Sequence, residues 1–234
     1  MADWDQNSPT LFENINRVEC DLEFQSAQRT KPTLALIKAW HRDTMVGLTV
    51  PNPAYVGNFR GEPGAVGVGI VVGRVIGVLG EPDFPGYPGL HSTKVAAAVS
   101  AFEKKLQGDV AALDKRYPVG ANLNVVGFET VIALAAWAHS EWVRMHPFAN
   151  GNGRTARYLA NFILARYDIG PVVRVRPRPG GDCEAAAVES MTGNHAPTIK
   201  VFVQMIADYS SVNAQVAAAA AHAPKVKSTT AKKP

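Results

Sequence analysis

The most diagnostic residues of this 234-residue chain read His146-Pro147-Phe148-Ala149-Asn150-Gly151-Asn152-Gly153-Arg154-Thr155-Ala156-Arg157. Glycines allow backbone N–H groups to come close to an anion, and a helix N-terminus offers unpaired donors and a positive dipole. Arg154 and Arg157 add positive charge at the start of the following helix, where the dipole disfavours cations, and their spacing puts them on one face. The sequence therefore predicts a site for a multiply charged anion, such as a polyphosphate.

Apolar helices flank this turn on both sides. Helical spacing of apolar residues runs over 128–145 before the turn and resumes after it through Leu159, Phe162 and Ile163 to about Tyr167. Gly151-Asn152-Gly153-Arg154-Thr155-Ala156 fits the G-x-G-x-x-A pattern of dinucleotide-binding folds, but that pattern requires a preceding strand. The chain contains no Gly-Lys-Ser or Gly-Lys-Thr, which excludes a Walker loop. An anion site between two helices is the prediction that remains.

The composition is that of an ordinary globular protein, with 47% hydrophobic and 19% charged residues. Its length suits one domain followed by a tail. The formal net charge of +4 is matched by four lysines in residues 225–234, which contain no acid. The rest of the chain is therefore near neutral, and its bulk charge does not indicate a nucleic-acid partner.

Several targeting and redox classes are excluded by the sequence. Cys20 and Cys183 are the only cysteines, too few for a disulfide framework or a zinc-binding pattern. Residues 1–5 are polar and acidic, unlike a signal peptide, and no apolar run is long enough to span a bilayer. We therefore expect a cytoplasmic protein with no membrane partner.

The spacing of apolar residues predicts a mostly helical chain. Ser8-Pro9 is typical of a helix start, so residues 1–30 are assigned to an N-terminal helix. Further along the chain, valines and isoleucines recur between glycines over 65–79, which predicts a β-hairpin or irregular strands. Residues 212–234 are rich first in alanine and then in lysine, and we expect a disordered tail there.

The pattern His-Pro-Phe-x-x-Gly-Asn-Gly-Arg-x-x-Arg resembles the signature of the Fic family, whose enzymes mostly transfer AMP from ATP to protein hydroxyl groups. The similarity continues into both flanking helices, over 138–145 and 157–164. Gly57-Asn58-Phe59-Arg60 resembles the start of the family's flap hairpin, and residues 198–209 resemble its closing helix. The resemblance implies a mainly α-helical, Fic-like domain over 31–211 with a short β-hairpin flap.

The resemblance also assigns roles within the motif. His146 would be the general base that takes the proton from a Ser, Thr or Tyr hydroxyl, and imidazole suits this because its ordinary pKa lies near neutrality. Arg154 and Arg157 would clamp the β- and γ-phosphates of ATP, since a guanidinium matches phosphate geometry. Phe148 would anchor the loop, and backbone donors of the glycine turn would form an anion hole. The residues assigned to nucleotide binding are Phe148, Gly151, Asn152, Gly153, Arg154 and Arg157.

Asn150 departs from the family pattern, which usually has Asp or Glu there to bind the Mg²⁺ that bridges the nucleotide phosphates. An amide oxygen offers no charge, so weaker metal binding is expected. Two interpretations remain. Either Asn150 coordinates Mg²⁺ carried in by ATP and the enzyme works, or the site binds nucleotide without turnover. The phosphate-transferring Doc-like toxins have lysine where Gly153 stands, which favours AMP transfer.

Many Fic proteins are inhibited by a helix bearing Ser/Thr-x-x-x-Glu-Gly/Asn. Glu13-Asn14 is the only Glu-Gly or Glu-Asn dipeptide in the chain, and it lies on the predicted first helix. Pro9 stands where the motif has Ser or Thr. Glu13 is a candidate inhibitory residue, and a solvated helix glutamate is the alternative.

We predict a protein adenylyltransferase that uses ATP and Mg²⁺ and modifies a hydroxyl of a target protein. The alternatives are a nucleotide-binding regulatory protein and a Fic-type enzyme that transfers another phosphate-containing group. A toxin-like role with an antitoxin or regulatory partner belongs to the same prediction. The histidines outside the motif that lack a recognisable constellation are assigned to the surface or the core: His41, His91, His195 and His222.

Overall fold

The computed structural model describes residues 8–62, 73–74, 87–177 and 179–222. These residues form seven α-helices and a short 3₁₀ helix at Pro53–Tyr55. The helices are α1 (Pro9–Ala27), α2 (Leu34–Thr44), α3 (Ser92–Arg116), α4 (Val125–Met145), α5 (Asn152–Arg166), α6 (Asp182–Met191) and α7 (Ala196–His222). Two short strands, β1 (Gly73–Arg74) and β2 (Tyr87–Pro88), pair in antiparallel fashion.

Local capping signals determine where the helices begin. Ser8 caps α1 by accepting a hydrogen bond from the Leu11 N–H, and Pro9 occupies the first helical turn. Asn124 caps α4 by accepting from the Gly127 N–H at 2.8 Å. Each cap satisfies a donor that the first turn of a helix leaves unpaired, so the starts of α1 and α4 follow from the sequence.

The hydrophobic core is centred on α4 and α5, which make the most extensive contact between any two described elements. Ala135 and Ala138 of α4 are fully buried, and such small side chains allow neighbouring helices to approach closely. Tyr158 and Phe162 of α5 are fully buried as well. Helices α1 and α2 pack against α5, whereas α3, α6 and α7 pack against α4. The helices on either side of the motif turn are therefore the most deeply buried ones.

A charged cluster fixes the end of α5 that lies far from the motif. The buried guanidinium of Arg166 lies 2.6 Å from the Asp114 carboxylate and donates to the carbonyls of Arg29 and Thr30. Arg29 contacts the same carboxylate at 2.7 Å. Burial would raise the pKa of Asp114, but the hydrogen bonds from Arg166 and Arg29 outweigh it and hold the pKa below its usual value. The cluster ties α3 and α5 to the segment that follows α1.

The predicted mainly helical fold is confirmed, but the β-hairpin predicted over 65–79 is not seen among the described residues. Most of that segment lies outside them. The two residues that are described, Gly73–Arg74, pair with Tyr87–Pro88, which lies beyond that segment. The strand partner is therefore more distant in sequence than the glycine and valine pattern indicates.

The last helix is longer than the sequence predicts. The sequence places a disordered tail from residue 212, whereas α7 continues to His222. The physical reason is the alanine run, since alanine has the highest helix propensity of all residues. Residues 1–7 and 223–234 lie outside the described part of the chain. In the described ranges, no helix has both the length and the apolar character needed to cross a membrane.

Candidate active site

The motif histidine lies at the C-terminal end of α4. His146 has a left-handed backbone conformation with φ 46° and ψ 58°, and its N–H donates to the Trp142 carbonyl at 3.0 Å. Non-glycine residues rarely adopt this conformation, so surrounding contacts must hold it. Gly89 makes one of these contacts. It packs so closely on His146 that a Cβ at position 89 would clash with the Cβ of His146. The close approach of the two backbones requires glycine.

Arg60 stabilises the C-terminal end of α4 through hydrogen bonds to its last carbonyls. Its buried guanidinium donates from Nε to the His146 carbonyl at 2.8 Å, and from Nη2 to the carbonyls of Leu90 and Met145 at 2.7 and 3.2 Å. Its backbone N–H donates to the Pro147 carbonyl at 2.8 Å. Burial lowers the pKa of Arg60 to about 10, so it stays cationic at neutral pH. A cation here also complements the negative end of the helix dipole.

The contacts of the His146 ring select one tautomer. Its Nδ1 lies within hydrogen-bonding distance of the Val143 carbonyl, which can only accept, so Nδ1 carries the proton and donates it. Nε2 therefore keeps its lone pair. Burial lowers the pKa of His146 to about 4, and nearby Arg60 acts in the same direction, while the bond to Val143 opposes the shift. The ring is therefore neutral at neutral pH, with the Nε2 lone pair available to a proton, but this pKa makes it a weaker base than the near-neutral imidazole expected from the sequence.

Residues 147–151, which we call the motif loop, are built around Phe148. Its ring has no exposed surface and packs against His41, Phe59 and Trp142 at centroid distances of 3.8, 4.9 and 5.8 Å. The Asn152 side chain accepts from the Phe148 N–H at 2.9 Å and donates to the Phe148 carbonyl at 2.8 Å. Phe148 is thus enclosed by protein, and Asn152 offers an anion its backbone and not its side chain.

The start of α5 has the features of an anion site. Gly151 precedes the helix with φ +77°, a conformation that favours glycine. Among the described residues, no side chain caps the helix with a hydrogen bond. Its first N–H groups belong to Asn152, Gly153 and Arg154, and the first N–H groups of a helix have no partner within the helix. An uncapped helix N-terminus of this kind attracts phosphate and other anions.

The motif arginines, Arg154 and Arg157, lie on the first two turns of α5. Arg154 is buried, with 6% of its surface exposed. Arg157 is half-buried, and its Nη2 lies 3.4 Å from the Val175 carbonyl. A Cβ built on Gly153 would lie 3.3 Å from Arg157 Nη1, so this guanidinium lies beside the first turn of the helix. Both arginines thus belong to the first two turns of α5, and cations and a helix N-terminus each stabilise phosphate oxygens.

Asn150 is already hydrogen-bonded through both of its oxygens. Oδ1 accepts from the Gly151 N–H at 2.5 Å, and the backbone oxygen lies 3.0 Å from His41 Nε2. Proteins usually bind Mg²⁺ through one or two carboxylates together with substrate phosphates. In the described ranges, no group of three His, Cys, Asp or Glu side chains could hold a metal ion. The residues present do not fit a Mg²⁺ held by the protein.

The structure does not bring Glu13 to the motif. Glu13 is exposed on α1, whereas its neighbour Asn14 is buried and donates to the carbonyls of Thr44 and Val46 at 3.1 and 2.7 Å. Within the described part of the chain, no ion pair joins Glu13 to a motif arginine. Asn14 therefore has a structural contact, and inhibition by Glu13 stays a prediction.

Two residues that contact the motif were missed as site residues by the sequence. The sequence pointed to Arg60 only as part of the segment that resembles the start of the flap, and not as a residue that contacts the motif. His41 bonds to Gly57 and Asn150, which are 16 and 109 residues away from it in the chain. No local pattern could reveal these His41 contacts.

A model of the Fic/DOC family matches residues 31–164. This chain belongs to the Fic/DOC family. The matched region covers more than half of the chain, and it begins before α2 and ends within α5. It therefore contains Arg60, His146 and both motif arginines. The family predicted from the motif is confirmed.

The curated relatives of this Fic domain match it over a short region. Protein adenylyltransferase Fic of Drosophila erecta is 39% identical over 66 residues, which cover 28% of this chain and 13% of that protein. The protein of the same name from Culex quinquefasciatus is 38% identical over 66 residues, with the same coverage of both chains. The chain thus aligns with about an eighth of the length of these relatives.

Solved structures match the Fic domain more extensively. A Fic family protein from Desulfovibrio desulfuricans has a TM-score of 0.55 and 18% identity, covering 89% of this chain and 55% of that one. A Fic domain containing signaling protein from Bacteroides thetaiotaomicron has a TM-score of 0.53 and 18% identity, covering 86% of this chain and 67% of that one. At this identity the likeness concerns the fold, and it agrees with the helical Fic architecture.

Proposed function

We propose that this Fic domain is a protein adenylyltransferase that transfers AMP from ATP to a Ser, Thr or Tyr hydroxyl of a target protein. One observation carries the proposal: a neutral His146 with a lone pair on Nε2 precedes an uncapped α5 N-terminus that bears Arg154 and Arg157. Transfer from a polyphosphate to a hydroxyl requires a proton acceptor beside a site for the phosphates. The name of the curated relatives supports the same reaction.

His146, Arg154 and Arg157 each have a part in the proposed reaction. The β- and γ-phosphates of ATP bind at the N-terminus of α5 and to the guanidiniums of Arg154 and Arg157. The hydroxyl oxygen of the target attacks the α-phosphorus while its proton passes to Nε2 of His146. The bond from the α-phosphorus to the oxygen that bridges to the β-phosphorus breaks, and that oxygen keeps the electron pair. The arginines and the helix dipole stabilise the charge that grows on pyrophosphate.

Gly153 favours AMP transfer over transfer of the terminal phosphate. A Cβ at Gly153 would lie 3.3 Å from Arg157 Nη1, a spacing at which one of the two groups must shift. A lysine, which stands at this position in the family's phosphate-transferring Doc-like toxins, would therefore crowd Arg157 and add a further positive charge. With glycine, Arg157 can keep its place over the helix start and hold the phosphates that leave.

A nucleotide-binding regulatory protein is the second candidate function, and Asn150 is the observation that favours it. Its Oδ1 brings no negative charge and accepts the Gly151 N–H. A site that lacks the charged metal ligand of the family could bind a nucleotide without turning it over. We regard AMP transfer as the better-supported function because His146 and both motif arginines are present.

The proposed partners follow from the proposed reaction. The first is a target protein that presents a hydroxyl side chain, and the second is an antitoxin or another regulatory protein, as in the toxin-like members of the family. We propose a cytoplasmic location from the cysteines, because Cys20 and Cys183 are both free and unpaired thiols are typical of reducing compartments.

The decisive experiment uses ATP labelled at the α-phosphate and, in a parallel reaction, at the γ-phosphate. The purified chain is incubated with each label and with a cell lysate as a source of targets, and modification of the chain itself is measured as well. Label from the α-phosphate alone supports AMP transfer. Label from the γ-phosphate alone indicates phosphate transfer. Tight ATP binding with no transfer to any protein, the chain included, supports the regulatory alternative.

A further inference from the structure

His41 connects the segment at Gly57 with the motif loop at Asn150. It belongs to α2 and is almost completely buried, with 1% of its surface exposed. The Gly57 N–H donates to its Nδ1 at 2.9 Å, and its Nε2 lies 3.0 Å from the Asn150 carbonyl. Its ring stacks on Phe148, with centroids 3.8 Å apart and an interplanar angle of 19°. Three separate contacts therefore fix this imidazole.

Only one form of His41 can make both hydrogen bonds. A backbone N–H can only donate, so Nδ1 must present its lone pair to Gly57. The Asn150 carbonyl can only accept, so Nε2 must carry the proton. Both conditions hold for the neutral tautomer protonated at Nε2. Burial lowers the pKa of His41 to about 4, opposed by the bond to Asn150, so the neutral form is the one present at neutral pH.

His41 acts on the motif loop at both of its ends. At the far end it holds the Asn150 carbonyl directly, next to Gly151 and the start of α5. At the near end it acts through residues 57–60, because it holds the Gly57 N–H while Arg60 of the same segment donates to the carbonyls of His146 and Pro147. The distance between the His146 base and the α5 anion site depends on this loop.

We propose that His41 is a positioning residue for AMP transfer: its Nε2–H fixes the Asn150 carbonyl and so sets the spacing between the His146 base and the phosphate site. The inference rests on the proposed function. Because its side chain is almost completely buried, His41 would act without contacting the nucleotide or the target. It acts by keeping the loop in one conformation, and small displacements of reacting groups lower the rate strongly.

Three substitutions separate the contacts of His41. His41→Gln keeps an N–H donor for the Asn150 carbonyl but loses the ring. His41→Asn keeps an acceptor for the Gly57 N–H but cannot reach Asn150. His41→Phe keeps the stacking on Phe148 but removes both hydrogen bonds. If the donor to Asn150 positions the loop, His41→Asn and His41→Phe lower kcat for AMP transfer by about 100-fold, with little change in KM for ATP. His41→Gln then retains most of the kcat.

A control for stability distinguishes positioning from a merely structural role. Val110→Ala removes buried side-chain volume from α3, in the half of that helix remote from Gly89 and Leu90, and destabilises the fold without touching the loop. Thermal midpoints are measured for all variants, and kcat is measured well below the lowest midpoint. The proposal is overturned if the thermal midpoints of the His41 variants fall as that of Val110→Ala does while their kcat stays at the parent value.

A second readout tests the loop without reference to AMP transfer. Hydrogen exchange of the Gly57 and Gly151 amides is followed by NMR in the parent and the three variants. The proposal expects faster exchange at Gly151 in His41→Asn and His41→Phe, and slower, parent-like exchange in His41→Gln. If the parent transfers no AMP but this pattern holds, the proposed function fails and the positioning of the loop stands. If the parent transfers AMP and exchange and kcat are unchanged in all three variants, the positioning role is wrong and the function stands.

Discussion

The Asn152 side chain makes two hydrogen bonds to the backbone of Phe148: Oδ1 accepts from the Phe148 N–H at 2.9 Å, and Nδ2 donates to the Phe148 carbonyl at 2.8 Å. The side chain of the central asparagine in the motif therefore closes the loop on itself. Both of its functional groups are used, and both bonds are buried. The side chain has a structural task, and only the Asn152 N–H is left to face an anion.

Asn152→Asp should destabilise the protein, because a carboxylate can accept from the Phe148 N–H but cannot donate to its carbonyl. The buried carbonyl then loses its donor and faces a negative charge, and we expect the free energy of unfolding to fall by about 1–3 kcal/mol. Urea denaturation measures the change. Asn16→Asp, at an exposed position of α1, is the matched control and should change little. Equal losses in the two variants would contradict a structural role for the Asn152 bridge.

His146→Ala should abolish AMP transfer and leave the affinity for ATP nearly unchanged. The base acts on the attacking hydroxyl, whereas the phosphates bind at the start of α5, so loss of the base should cost about 10²–10⁴ in rate. Transfer is measured with ATP labelled at the α-phosphate, and affinity with a fluorescent ATP analogue. The control is His91→Ala at an exposed position before α3. A variant that transferred AMP at the parent rate would remove His146 from the mechanism.

The parts of the site that could be predicted from the sequence are those with local signals. Apolar spacing over 128–145 predicts most of α4, which begins at Val125 because Asn124 caps it. Gly151 and the residues after it predict a turn followed by a helix start, and the structure has both. Such features depend on neighbours a few residues away, so propensity and capping rules describe them well.

The contacts that could not be predicted are those between distant segments. His41 reaches Asn150 across 109 residues, and a lone histidine on an apolar helix face carries no sign of that partner. The use of the Asn152 side chain within the loop is likewise a matter of tertiary geometry. The partner of Gly73–Arg74 lies in β2, beyond the segment in which a local hairpin pattern is found. Each of these contacts depends on how distant segments pack together, and the spacing of apolar residues along the chain does not specify that packing.

His139 should make the stability of the protein depend on pH. It is buried on α4 beside Phe202, and its Nδ1 has no hydrogen-bond partner among the described residues. Burial lowers its pKa to about 3, with Arg157 acting in the same direction. The folded protein keeps this ring neutral, whereas the unfolded chain protonates it below the ordinary histidine pKa of 6.5. Its contribution to stability is therefore fully present above pH 6.5 and is lost as the pH falls toward 3.

We expect His139→Leu to flatten this dependence. Over the acidic range the free energy of unfolding of the parent should fall by about 1.4 kcal/mol per pH unit from His139 alone, and the variant should lack that part of the slope. Urea denaturation at a series of pH values measures it. His41 and His146 still contribute to the slope in both proteins, since their pKa values are also lowered. His91→Asn is the exposed control, and a slope identical in parent and His139→Leu would show that His139 is not neutral in the fold.

Asn150→Asp should supply the charged metal ligand that the site lacks. A carboxylate binds Mg²⁺ more strongly than an amide oxygen does, and Mg²⁺ held beside the phosphates neutralises charge on the leaving pyrophosphate. The carboxylate also has a second acceptor oxygen, so one oxygen can keep the bond to the Gly151 N–H while the other faces the metal. The expected result is half-maximal transfer at a lower Mg²⁺ concentration and a faster rate. Both are measured with ATP labelled at the α-phosphate over a range of Mg²⁺ concentrations.

Asn150→Ala is the matched control for this substitution, because it removes the amide without adding charge and should leave the Mg²⁺ dependence unimproved. If Asn150→Asp responds to Mg²⁺ as Asn150→Ala does, the side chain at position 150 does not face the metal of the nucleotide. The stronger bond of the carboxylate to the Gly151 N–H would then be the dominant effect, and it would compete with the phosphates for that donor.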